Sequence, residues 1–234
     1  MISERIKTAL GACLLLLNVA AAQPADPVNP TCPEYLNWST YPEMKFTLET
    51  INGLRVLKAE GQIDEDVPAR LQDALKVNAP VQEIWFRSPG GDARAGNDAG
   101  KIIRASGIPT RIPDGWACFS ACNFMFMGGA IRFVDDGGIF AVHMFTHVSD
   151  KQAVRSELSK GTDYAIGMIG DVEQDSALLA SEDNDFLIRM GISRKLLTEV
   201  MYQQKAVPDG LGDHSTRRCL TRAEALKYNV ANAQ

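Results

Sequence analysis

From about residue 45 onward, short apolar runs alternate with stretches of helical period, the pattern of an α/β fold. Residues 44–50 and 54–60 flank Asn52-Gly53, a two-residue signal for a β-hairpin. A helix is predicted from Asp64 or Asp66, with Val67, Leu71, Ala74 and Leu75 on one face. Residues 81–87 (VQEIWFR) read as a buried strand that Ser88-Pro89-Gly90-Gly91-Asp92 interrupts. A second helix follows, with Ala95, Ala99, Ile102 and Ile103 on one side and Gly107 and Pro109 as its stop. Residues 108–112 form the next strand. A short helix over 120–127 is rich in Phe and Met, and strands are predicted over 131–134 and 138–145. Beyond them the chain turns helical: a long polar pattern over 153–179, then 183–190 and 193–204, separated by Gly191. The last helix starts at Thr221, which forms a capping box with Glu224.

Composition sets the class. The chain has 234 residues, 45% hydrophobic and 23% charged, which suits one large domain. Its net charge is −5, without a basic run or aromatic-basic interleaving, so nucleic acid is not an expected partner. Arg5 and Lys7, an apolar stretch over 9–19 and Ala20-Ala21-Ala22 read as a signal peptide over residues 1–22. Residues 23–44 then form an N-terminal leader, and 45–234 a single domain. The expected location is periplasmic or secreted.

Removing residues 1–22 removes Cys13 and leaves Cys32, Cys118, Cys122 and Cys219. An even count in an oxidising compartment suggests disulfides, and three connectivities are open. Cys118 and Cys122 are within bridging reach if the chain between them turns helically. No two-residue spacing pairs the cysteines and the three histidines sit elsewhere, so no metal site is expected.

Three motifs could carry chemistry. Ser88-Pro89-Gly90-Gly91 lies between a strand and a helix, and its glycines let backbone N–H groups turn toward an oxyanion. A plain tight turn is its simplest reading. Ser120, in Cys118-Phe119-Ser120-Ala121-Cys122, starts a helix and is placed for attack, with the neighbouring N–H facing the same oxyanion. Its simplest reading is an N-cap. His143 ends a predicted strand, where a neutral imidazole can take and return a proton; a lone strand histidine is more commonly a hydrogen-bonded core residue. His147 and His214 lie in polar context.

The order of the three motifs is more telling than any one alone. RSPGGDARAGNDAGKIIRASGIPTRI resembles the Ser-Pro-Gly-Gly turn and following helix of the ClpP family, and SACNFMFMGGAIRFVDDGGIFAVHMF looks like its nucleophile helix and the strand leading to its catalytic histidine. VLKAEGQIDEDVPARLQDALKVNAPVQEIWF is similar to the family's opening strand–helix–strand unit, and CLTRAEALKYNVAN to its closing helix. The resemblance covers residues 54–147 well and 186–232 loosely. It implies an α/β fold of the ClpP/crotonase type, a repeated β-β-α spiral with a C-terminal helical region. It implies a serine peptidase in which Ser120 is the nucleophile, His143 the general base, and the amides of Gly91 (with Gly90 as alternative) and Ala121 the oxyanion hole. A peptide or protein substrate and no cofactor are implied. Relatives assemble into rings or trimers, so self-association is expected, whereas an ATPase partner is not, given export.

One departure stands out. Where the family has the aspartate that orients the histidine, this chain has Arg217. At about 4 Å and an effective dielectric near 20, an adjacent positive charge disfavours imidazolium by about 4 kcal/mol. Either a dyad operates or another group orients His143. Asp213 is the nearest upstream carboxylate, in a segment, VPDGLGDHST, that looks like an insertion; Asp171 and Asp175 fall in the long helical region and read as solvated. The same departure supports a second reading, a catalytically inactive scaffold of the same fold. A crotonase-like acyl-CoA enzyme is disfavoured by export, and a Ser–Lys dyad would need Lys101.

Overall fold

The structure, a computed structural model, describes residues 23–146, 151–207 and 215–233. The signal-peptide reading of 1–22, His147, Asp213 and His214 fall outside the described residues.

The hairpin forms where it is predicted. β1 (Lys45–Ile51) and β2 (Leu54–Glu60) pair antiparallel, with Ile51 opposite Leu54. Asn52 and Gly53 both take positive φ, 50° and 81°, the conformation that matches a tight turn to the twist of the strands. α1 (Val67–Val77) buries Val67 and Leu71. β3 (Glu83–Arg87), β4 (Thr110–Ile112) and β6 (Arg132–Val134) extend the sheet in parallel, in the order β1-β2-β3-β4-β6. α2 (Ala93–Ser106) connects β3 to β4 and ends, as its sequence predicts, on a left-handed Gly107.

A second sheet carries His143. β5 (Ala117–Phe119) and β7 (Ile139–His143) run parallel, and β8 (Arg217–Cys219) closes the sheet antiparallel to β7. β5 and β8, of three residues each, are not predicted from the residue pattern. Between β5 and β7 lies α3 (Cys122–Met127), whose six residues are all buried. Phe86, Phe126, Phe140 and Phe186 meet Leu57, Ile84, Ile103 and Met125 in one core.

The C-terminal helical region differs from its predicted segmentation. The break falls at Gly161, between α4 (Lys151–Ser159) and α5 (Thr162–Met190), and α5 is continuous over 29 residues. Its buried residues are Asp183, Phe186, Leu187 and Met190, all in its last third. The earlier turns have no fully buried residue; Ala165, Met168, Val172 and Leu179 are only half-buried along one face. Residues 196–203 form a π-type turn followed by a 3₁₀ turn in place of a regular helix. No helix among the described residues is long and apolar enough to cross a membrane. α6 (Arg222–Lys227) begins with the predicted reciprocal capping box between Thr221 and Glu224.

Asp183 is 3% exposed, and its burial, with Glu182 adjacent, pushes the carboxyl up to about 7. The folded protein therefore holds a proton that the unfolded chain releases near pH 4. Stability falls as pH rises through that window and levels off above about 7. Asp183→Asn removes this dependence. Thermal melts should show the variant gaining on the parent by on the order of 3 kcal/mol at pH 8 and little at pH 4; a parallel pH dependence in both proteins would contradict this.

Candidate active site

Three backbone segments meet at one point. The end of β3 runs into Ser88, whose N–H donates to the Ala117 carbonyl at 3.0 Å and whose carbonyl accepts from Phe119 N–H at 3.1 Å. The glycine turn is thus joined directly to β5, which leads to Ser120. The Ser88 hydroxyl is buried; it donates to the Gly61 carbonyl at 2.6 Å and accepts from Gly90 N–H at 3.1 Å, fixing the turn from below. Asn123 Nδ2 donates to the Ala141 carbonyl at 2.7 Å and ties α3 to β7.

The glycines are required by close approach as well as by conformation. Gly90 has φ +87°, and a Cβ there would lie 2.6 Å from both the Phe119 carbonyl oxygen and Ser120 Cβ. Gly91 has φ +143°, and its Cβ would lie 2.0 Å from the Ile63 carbonyl oxygen. No side chain fits at either position without moving backbone.

Ser120 occupies the turn between β5 and α3 at φ +58°, a left-handed conformation that costs a non-glycine residue on the order of 1 kcal/mol. It does not cap the helix: Ala121 holds that position. Its hydroxyl lies 2.6 Å from His143 Nε2, while Nδ1 of the same ring lies 2.7 Å from the Ser215 hydroxyl. The imidazole is half-buried against the Phe119 ring, with centroids 4.6 Å apart. Arg217 is the register partner of His143 across β7 and β8. Its guanidinium lies over Phe119 and Trp38, 5.1 and 5.4 Å from their centroids, so cation–π contact accommodates a charge that sequence alone sets in conflict with the histidine.

The Ala121 N–H and the Gly91 N–H donate to no protein acceptor among the described residues. Gly90 N–H, the alternative, is engaged by Ser88. Beyond His143, Met144, Phe145 and Thr146 line an apolar groove of about 390 Å³ with Val154, Met168 and Ile169. Lys101, the lysine that a Ser–Lys dyad would need, is half-exposed and pairs with Asp98 at 2.9 Å. Asp175 is exposed and pairs with Arg94.

Two disulfides, of the three connectivities open from sequence, select Cys32–Cys219 and Cys118–Cys122. The second brackets Ser120. The first ties the leader to β8, alongside Asn29 Oδ1, which accepts from Arg217 N–H at 2.6 Å, and Thr31 Oγ1, which accepts from Cys219 N–H at 3.1 Å. Ser215 is the residue that sequence reasoning missed. A serine in a polar segment has no signature of its own, and its contact depends on the pairing of β7 with β8.

The fold has counterparts among solved structures. A mutant of ClpP1 from Listeria monocytogenes is similar with a TM-score of 0.51 and 14% identity, over 76% of this chain and 89% of that one. The chain has the ClpP fold. A mutant of the 1510-N membrane-bound stomatin-specific protease gives a TM-score of 0.48 at 15% identity, over 76% of each chain. No protein-family model and no curated protein sequence matches the chain. The serine turn and the glycine turn lie side by side because β5 is bonded both to Ser88 and to β7, which carries the histidine.

Proposed function

We propose that the protein is a serine hydrolase, and specifically a peptidase, working by acyl transfer. The observation that carries this reading is the 2.6 Å contact between the Ser120 hydroxyl and His143 Nε2. His143 takes the hydroxyl proton as Ser120 attacks a carbonyl carbon. The Gly91 and Ala121 amides donate to the oxyanion that forms. His143 then protonates the leaving amine, and water, activated in turn by His143, releases the acyl group and regenerates Ser120. The groove beyond His143 would take an apolar side chain of the substrate. The pair of disulfides supports function in an oxidising compartment, in keeping with the periplasmic or secreted location expected from the sequence.

The test is a fluorophosphonate probe, which reacts with activated serines. Folded protein should label covalently within minutes. Folded protein that takes no label would leave the ClpP fold without this chemistry, as the scaffold reading holds.

A further inference from the structure

We propose that Ser215 is a positioning residue of the site, a hydroxyl that orients the base from its Nδ1 side. The inference rests on the hydrolase reading above and adds a group that orients the ring of His143.

Ser215 Oγ is 2.7 Å from His143 Nδ1, on the far side of the ring from Ser120. If Nδ1 carries the proton, it donates to Ser215, and the lone pair of Nε2 faces the Ser120 hydroxyl. In the opposite tautomer Nε2–H would point at Ser120 and could not accept its proton. As acceptor, Ser215 supports the working form, with the proton on Nδ1; because a hydroxyl can also donate, it orients the ring and does not fix the tautomer alone. When Ser120 gives up its proton, the ring becomes a cation and its Nδ1–H bond to the hydroxyl becomes charge-assisted. The proton on Nδ1 stays there throughout, and no bond to Ser215 forms or breaks.

The backbone on either side of Ser215 is held in place. Ser215 is 6% exposed, and its backbone bridges Ala206. Thr216 N–H donates to the Lys205 carbonyl at 2.8 Å. Two residues on, Arg217 enters β8 opposite His143, and β8 is fastened to the leader by Cys32–Cys219. The strand register that places Arg217 beside the histidine also places Ser215 at its ring. Among the described residues, the charge beside the ring on β8 is the Arg217 guanidinium, seated over Phe119 and Trp38.

The experiment compares Ser215→Ala, Ser215→Thr and Ser215→Asp with the parent and with Ser120→Ala. Readouts are the fluorophosphonate labelling rate and steady-state cleavage of a chromogenic ester. Loss of one hydrogen bond to a charged group predicts that Ser215→Ala slows labelling and kcat by about tenfold to a hundredfold with KM unchanged. Ser215→Thr, which keeps the hydroxyl, should recover most of the rate. Ser215→Asp should move the acid limb of the pH–rate profile upward by about one unit or more, because a carboxylate beside the ring favours imidazolium. A purely structural role would not shift that limb. If the alanine variant does not fold, the threonine and aspartate variants carry the test. Parent protein that labels, Ser120→Ala that does not, and Ser215→Ala that labels at the parental rate would overturn this inference and leave the hydrolase reading intact. Folded parent that never labels takes both down.

Discussion

Ser120→Ala is expected to lower ester and peptide cleavage by about 10⁴-fold to 10⁶-fold while leaving the fold unchanged. The substitution deletes the one atom that would bond to the acyl carbon. What survives is the residual rate that the Gly91 and Ala121 amides give to attack by water. Stability barely changes, because alanine bears the same cost at φ +58° as serine. Glycine does not bear it, so Ser120→Gly should be equally inactive and more stable than Ser120→Ala by about 1 kcal/mol. A thermal melt alongside the activity assay checks both. An inactive glycine variant that melts no higher would mean that the turn is not strained. An alanine variant within tenfold of parental activity would mean that Ser120 is not the nucleophile.

Breaking Cys32–Cys219 should have the largest effect on stability. The bridge joins residues 187 apart, and in the chain-entropy account a loop of that length constrains the unfolded chain by about 5 kcal/mol. Cys118–Cys122 closes only a four-residue separation, worth about 2 kcal/mol by the same account. The two bridges therefore separate in their effects. Cys32→Ala with Cys219→Ala should cut the denaturation midpoint steeply. Cys118→Ala with Cys122→Ala should cost less stability and more reactivity, since that bridge spans the turn holding Ser120. Denaturant titration of both double variants, with probe labelling under native conditions, gives the comparison. Equal losses of stability would contradict the loop-length argument.

Local structure was legible where one or two residues dictate backbone conformation. Asn52-Gly53 demands its hairpin, Gly107 its helix stop, and Thr221 with Glu224 its capping box, and each is present. Ser120 and His143 were legible by their spacing around the glycine turn, and the structure brings their side chains together. The parts that were not legible depend on long-range pairing or lack a buried face. β8 and Ser215 take their places through register with β7, across more than seventy residues of chain, and nothing in HSTRRC marks a contact with His143. The true limits of α5 were hidden because its first turns are only half-buried, and no proline or glycine pair marks where its segments join. Arg217 reads as a conflict in sequence because its position is visible and its aromatic neighbours, Trp38 from the leader and Phe119 from β5, are not.

The most direct measurement of the central claim is the location of the fluorophosphonate adduct. Intact-mass analysis of the labelled protein followed by peptide mapping should find one adduct, on Ser120, and His143→Ala should slow its formation by several orders of magnitude. An adduct on another serine, Ser215 included, or unchanged labelling of folded His143→Ala, would contradict the account.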